Sequence, residues 1–163
     1  SLDRDRTGYD GKMAFAGDYF PHRENPKHTP KYNARALYVT HWHYDHDGGV
    51  PHLLLAGYRV DHLICNEATK MHIEEICKKL EVPKEWMPEK WTIIDDLIDE
   101  KQELQISKNM SLRFGWTPHS APTSWIFVKT PEGSLFHFSD AKFDQTVQSN
   151  PVFDVDFIRT LKP

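Results

Sequence analysis

Cysteine is nearly missing from this chain. Its 163 residues include two, Cys65 and Cys77, and no C-x-x-C pair. That excludes a disulfide framework and fits a reducing cytoplasm. Long apolar runs are missing as well. Nothing approaches the roughly 20 residues that a membrane helix needs, so no membrane partner is expected. The segment from Ser1 to Gly11 is too polar and charged for a signal peptide. Positive charge is not in excess: 20 Lys and Arg stand against 24 Asp and Glu, giving a formal charge of -4. No basic field announces a nucleic-acid partner. Carboxylates that bind metal, however, count as negative until the metal is bound. Internal repeats and low-complexity tracts are also absent. What remains is ordinary: 39% hydrophobic and 27% charged residues, enough for one domain with a real core.

The order of elements reads as α/β. Lys12 to Ala16 is a short strand ending at Gly17-Asp18. Tyr19 to Tyr32 is a long polar loop carrying His22 and His28. Ala34 to Thr40 is an apolar run that suits a buried strand. Gly48-Gly49 opens a helix over Val50 to Ala56, with Pro51 in its first turn. Val60 to Cys65 is the next strand. Asn66 caps a helix over Ala68 to Leu80 whose inner face holds Ile73, Ile76, Cys77 and Leu80. After Glu81 the pattern becomes strand-rich: Trp91 to Ile94, Glu103 to Ile106, and Ser111 to Trp116. Ser124 to Lys129 and Ser134 to Phe138 form a hairpin around Pro131-Glu132-Gly133. Val155 to Leu161 offers no clear closing element, and both ends look cut.

Chemistry concentrates in HWHYDHDGG, His41 to Gly49. In an extended segment residues two apart point the same way, so His41 and His43 project together from the end of a strand. Asp45 and His46 follow where the chain turns into the helix. Convergent nitrogen and oxygen ligands are what a metal needs. Two metals about 3.5–4 Å apart need two such sets and a shared carboxylate. His119, in WTPHSAP, and Asp140, in HFSDAKFD, sit at the ends of later strands, where α/β sites are generally built.

THWHYDHDGG, HSAP at His119 to Pro122 and SDAKFD at Ser139 to Asp144 occur in the order of the metallo-β-lactamase superfamily. With the TPEG hairpin between them, the last two motifs resemble its β-CASP branch, and within it ribonuclease J. The resemblance runs from about Lys12 to Gln148. It implies an αββα sandwich, two mixed β-sheets flanked by helices, here a partial domain over residues 1–163 that is incomplete at both ends. It assigns His41, His43 and His119 to one zinc ion, Asp45 and His46 to a second, and Asp140 to both; manganese could replace zinc. A hydroxide held between the metals would attack phosphorus in RNA, with Asp45 orienting it. Ser120 would contact phosphate, although a turn hydroxyl is the commoner explanation.

The sequence departs from the family at several points. The opening glycine-rich hairpin is missing, and the usual Asp-x-Gly becomes Ala16-Gly17-Asp18. Thr123 stands where an aspartate is usual. A further histidine ligand belongs far downstream, but the last histidine here is His137. The β-CASP domain is absent from this chain. A piece of a longer cytoplasmic nuclease accounts for all of this. Two other readings stay open: a hydrolase of small thioesters, lactones or phosphodiesters, and a non-catalytic metal-binding scaffold subunit. An oligomer is left open too. Trp116 and Trp125 flank HSAP and suit core packing better than base stacking. Lys27, Lys31 and Arg35 form a modest basic cluster. Lys142 and Asp144 suit a surface ion pair as well as a supporting role. His52, His62 and His72 read as solvated or half-buried.

Overall fold

A computed structural model describes residues 32–34, 36–56, 58–142 and 154–161. The strand expected at 12–16, His22, His28, Lys27, Lys31, Arg35 and Asp144 lie outside the described residues.

The first half is a parallel sheet covered by helices. Strands β1 (Tyr32–Ala34) and β2 (Leu37–Tyr38) pair in parallel with β3 (Tyr58–Val60) and β4 (His62–Cys65). The residue offset is the same in both pairings, Tyr32 facing Tyr58 and Leu37 facing Leu63. One ladder is therefore interrupted locally, where the sequence suggested a single unbroken strand on each side. β5 (Lys90–Ile93) extends it in parallel beside β4. Parallel strands need crossovers, and helices supply them here. The histidine segment leads through the short α1 (Tyr44–Asp47) into α2 (Gly49–Leu55). α3 (Glu67–Lys79) connects β4 to β5 by way of a 3-10 turn at Lys84–Trp86.

Alternation along β4 assigns the two faces. Leu63 and Cys65 join Val39, Val60, Val50, Leu54, Ile73 and Cys77 in a core under α2 and α3. Ile64 points the other way and packs with Ile94, Ile98, Leu112, Phe114 and Ile126. A strand buried on both faces reads as a continuous apolar run, as LIC does. Burying each such Leu or Ile contributes about 1.5–3 kcal/mol.

The second half is antiparallel, ordered β6 (Leu104–Ser107), β7 (Met110–Thr117), β8 (Thr123–Thr130) and β9 (Gly133–His137). Leu112, Phe114 and Ile126 from this sheet meet Ile64 of the parallel one, which gives the expected αββα-like arrangement of mixed sheets flanked by helices. Trp125 lies across Gly115, its partner in the β7–β8 ladder. A Cβ on Gly115 would come within 2.6 Å of the indole Nε1 and closer still to two ring carbons. Trp125 is 1% exposed, so its role is packing.

Three helices went unanticipated: α1, α4 (Asp95–Asp99) and α5 (Val155–Leu161). α3 and α4 also end in an unusual way. Val82 N–H bonds Cys77 O and Glu81 N–H bonds Lys78 O; Gln102 to Leu97 and Lys101 to Ile98 repeat the pattern. These are Schellman closures, but Glu81 and Lys101 hold the left-handed position, each at φ 54°, where glycine is usual.

Candidate metal centre

Three loops converge at the edge where the two sheets meet. The first leaves β2 and carries the histidine motif. The second, between β7 and β8, carries His119. The third follows β9 and carries Asp140.

Backbone and side-chain bonds tie these loops together. Ser124 donates to Thr40 O through both its N–H and its hydroxyl, each at 3.2 Å. Thr117 Oγ1 donates to Asp140 O at 2.9 Å, and Lys142 N–H to Pro118 O at 2.6 Å. Asn66, fully buried, accepts from Thr69 N–H at 2.8 Å to cap α3. Its amide also donates to Pro122 O at 2.8 Å. The cap was legible in the sequence; the link to the HSAP loop was not, because nothing local shows what Asn66 faces 56 residues away.

The side chains form two groups that share His41. His41, His43 and His119 place ligand atoms within 4.8 Å of one another, and so do His41, His46 and Asp140. His119 Nε2 lies 3.1 Å from His43 Nδ1, across 76 residues of sequence. Asp140 Oδ2 lies 3.4 Å from His46 Nε2 and 3.8 Å from His119 Nε2, between the two groups. Asp45 stands at the outer margin. Its side chain is 80% exposed, with Oδ2 3.6 Å from His46 Nε2. Ser120 is exposed in the His119 loop.

The donor set fits metal ions. Thr40 Oγ1 lies 3.0 Å from His41 Nδ1 and 3.4 Å from His46 Nδ1. His41 therefore turns Nε2 inward, where this atom is buried and meets no hydrogen-bond partner. An imidazole nitrogen left this way is costly, and metal ligation removes the cost. Burial lowers the His41 pKa to about 4, helped by the neighbouring His46, His43 and His119 rings. Burial also lowers that of His119. Neutral imidazole is the form that ligates.

No protein-family profile matches the chain. Curated relatives do. It is 36% identical over 118 residues to ribonuclease J 1 of Streptococcus pyogenes, covering 72% of this chain and 19% of that protein. It is 34% identical over 111 residues to ribonuclease J of Mycoplasma genitalium, covering 68% of the chain and 18% of the relative. The Mycoplasma pneumoniae protein is 32% identical over the same length. The chain is a distant, partial homologue of ribonuclease J. It spans about a fifth of the length of these relatives. The fold is consistent with that of a metal-dependent hydrolase related to them, and the His/Asp groups with a metal-binding site. No helix among the described residues is long and apolar enough to cross a membrane.

Two further residues of this region escaped the sequence reading. Asp47 is fully buried, and His72 Nδ1 of α3 sits 2.6 Å from its Oδ2. Burial raises the Asp47 pKa to about 6, against the lowering effect of His72. The second is Trp42, 37% exposed beside His43.

Proposed function

We propose that this chain is the metal-binding part of a zinc-dependent phosphodiesterase that cleaves RNA. The observation that carries the reading is the meeting of His43 and His119 across 76 residues, with Asp140 Oδ2 reaching toward both histidine groups. The homology to ribonuclease J supplies the substrate class.

Residues 1–163 would form a partial metallo-β-lactamase domain, with the β-CASP domain elsewhere in a longer cytoplasmic protein. His41, His43 and His119 would hold one zinc ion, Asp45 and His46 the second, and Asp140 both. When bound, the ions supply Lewis acidity and make water acidic enough to act as a nucleophile near neutral pH. The protein's own part is mostly positioning. Thr40 fixes the tautomer and direction of His41, as an outer hydrogen bond to a ligating histidine does. Asp45, exposed at the margin, orients the attacking water and holds its proton on a carboxylate oxygen. Ser120 donates to a phosphate oxygen.

The test is metal-dependent cleavage of 5′-monophosphorylated RNA by the full-length protein. Cleavage that stops on chelation and returns with zinc or manganese is expected. Failure to cut RNA, together with hydrolysis of a small ester, would overturn the proposal.

A further inference from the structure

We infer that Trp42 is the surface on which a base next to the scissile phosphate stacks. The inference rests on the RNA reading above and deepens it.

Burial alternates along the histidine motif. His41 is fully buried and His43 half-buried, while Trp42 between them keeps 37% of its surface in water. Of the chain's five tryptophans it alone is exposed, and it joins neither apolar core. Leaving a large ring in water beside a polar site gives up hydrophobic stabilisation, which a binding role would explain.

The ring is also held in place. His43 meets it edge-on, centroids 5.2 Å apart at 76°. His72 meets it from α3 at 5.7 Å and 67°. His72 is in turn fixed by buried Asp47 at 2.6 Å. Asp47 and His72 are thus positioning residues for the indole. A braced ring loses little freedom on binding, and every nucleobase has a π-face that such a ring can take without regard to sequence. Trp42 is one ring away from the group that His43 shares with His41 and His119, within a nucleotide's reach of a phosphate bound there. The neighbouring Tyr44 is a poorer candidate, because its ring lies over Gly48.

The test compares the full-length protein with Trp42→Ala and Trp42→Phe. Two RNAs are used, one intact and one with an abasic ribose beside the scissile bond. Bound zinc is measured in each protein to show that the site survives. Trp42→Ala should lower kcat/KM about tenfold on intact RNA, Trp42→Phe should recover part of that, and the loss should vanish on the abasic RNA. The unmodified protein should itself prefer intact RNA by about the same factor, which needs no variant to fold. Equal cleavage of both RNAs by the unmodified protein, or the same Trp42→Ala loss on both, would sink the inference and leave the phosphodiesterase reading standing. Cleavage of neither RNA would remove both together.

Discussion

Gly115→Ala should be among the most damaging one-carbon changes in this protein, and its effect should reach the metal centre. The new Cβ would lie 2.6 Å from Trp125 Nε1 and closer to Cζ2 and Cε2, more than an ångström inside ordinary van der Waals contact. The indole has no easy retreat. It is 1% exposed and packed against Phe136 at 5.2 Å and Phe157 at 6.0 Å. Overpacking alone costs about 1–3 kcal/mol, and full expulsion approaches the roughly 3–5 kcal/mol of a Trp→Ala change. A loss of about 2–4 kcal/mol is therefore expected. β7 and β8 also carry the His119 loop between them, and Ser124 beside Trp125 bonds Thr40 O. Zinc affinity should therefore fall as well. Urea unfolding of the metal-free protein measures the first effect. A cycle with Trp125→Leu tests its cause, since the Gly115→Ala penalty should shrink by about 1 kcal/mol or more once the indole is gone. Strict additivity, or a Gly115→Ala loss under about 0.5 kcal/mol, would refute the reasoning.

Metal titration should separate the two groups. His43→Ala should weaken one zinc and spare the other, and His46→Ala should do the reverse, because each belongs to a different group. Asp140→Ala should abolish cleavage by the full-length protein; retained activity would show that Asp140 is not shared between the ions. Stability of the metal-free protein should fall on acidification from about pH 6.5 to 4. Burial lowers the His52 pKa to about 4, so the unfolded chain binds the proton first and draws the equilibrium toward itself. With partial exposure discounted, His52→Gln should remove about 2 kcal/mol of that acid sensitivity, measured as ΔG of unfolding against pH. Burial pushes both Cys65 and Cys77 up to about 12, so a thiol reagent should label them slowly in the native protein and quickly in urea.

Where the sequence marks an element with its own local chemistry, the structure agrees. Asn66 announced α3, and the PEG turn announced the β8–β9 hairpin. α4 was missed for equally local reasons. It is five residues long, Ile94 gives its start no side-chain cap, and Lys101 occupies the position where a glycine would have marked its end. At the site, the histidine motif exposed the chemistry because spacing along a strand end is a local property. The pairing of Asp47 with His72, 25 residues away, was invisible, since the motif shows only which residues are present. The exposed Trp42 passed unremarked for the same reason. Trp116 and Trp125 drew attention beside HSAP, whereas the aromatic next to the histidines is Trp42.

The position of His43 and His119 has a consequence for folding. One follows the parallel sheet and the other the antiparallel sheet; the parallel sheet packs one core with its helices, and the two sheets share the second. An ion gripped by both would act as a rivet through the seam between the halves. Whatever free energy it gains on binding would be added to their docking, because neither half alone presents the full set of donors. Hydrogen exchange along the Thr40–Ser124 contact should accordingly slow on zinc addition far more than exchange in the centre of α3. The seam, rather than either core, would be where the protein first comes apart when its metal is withdrawn.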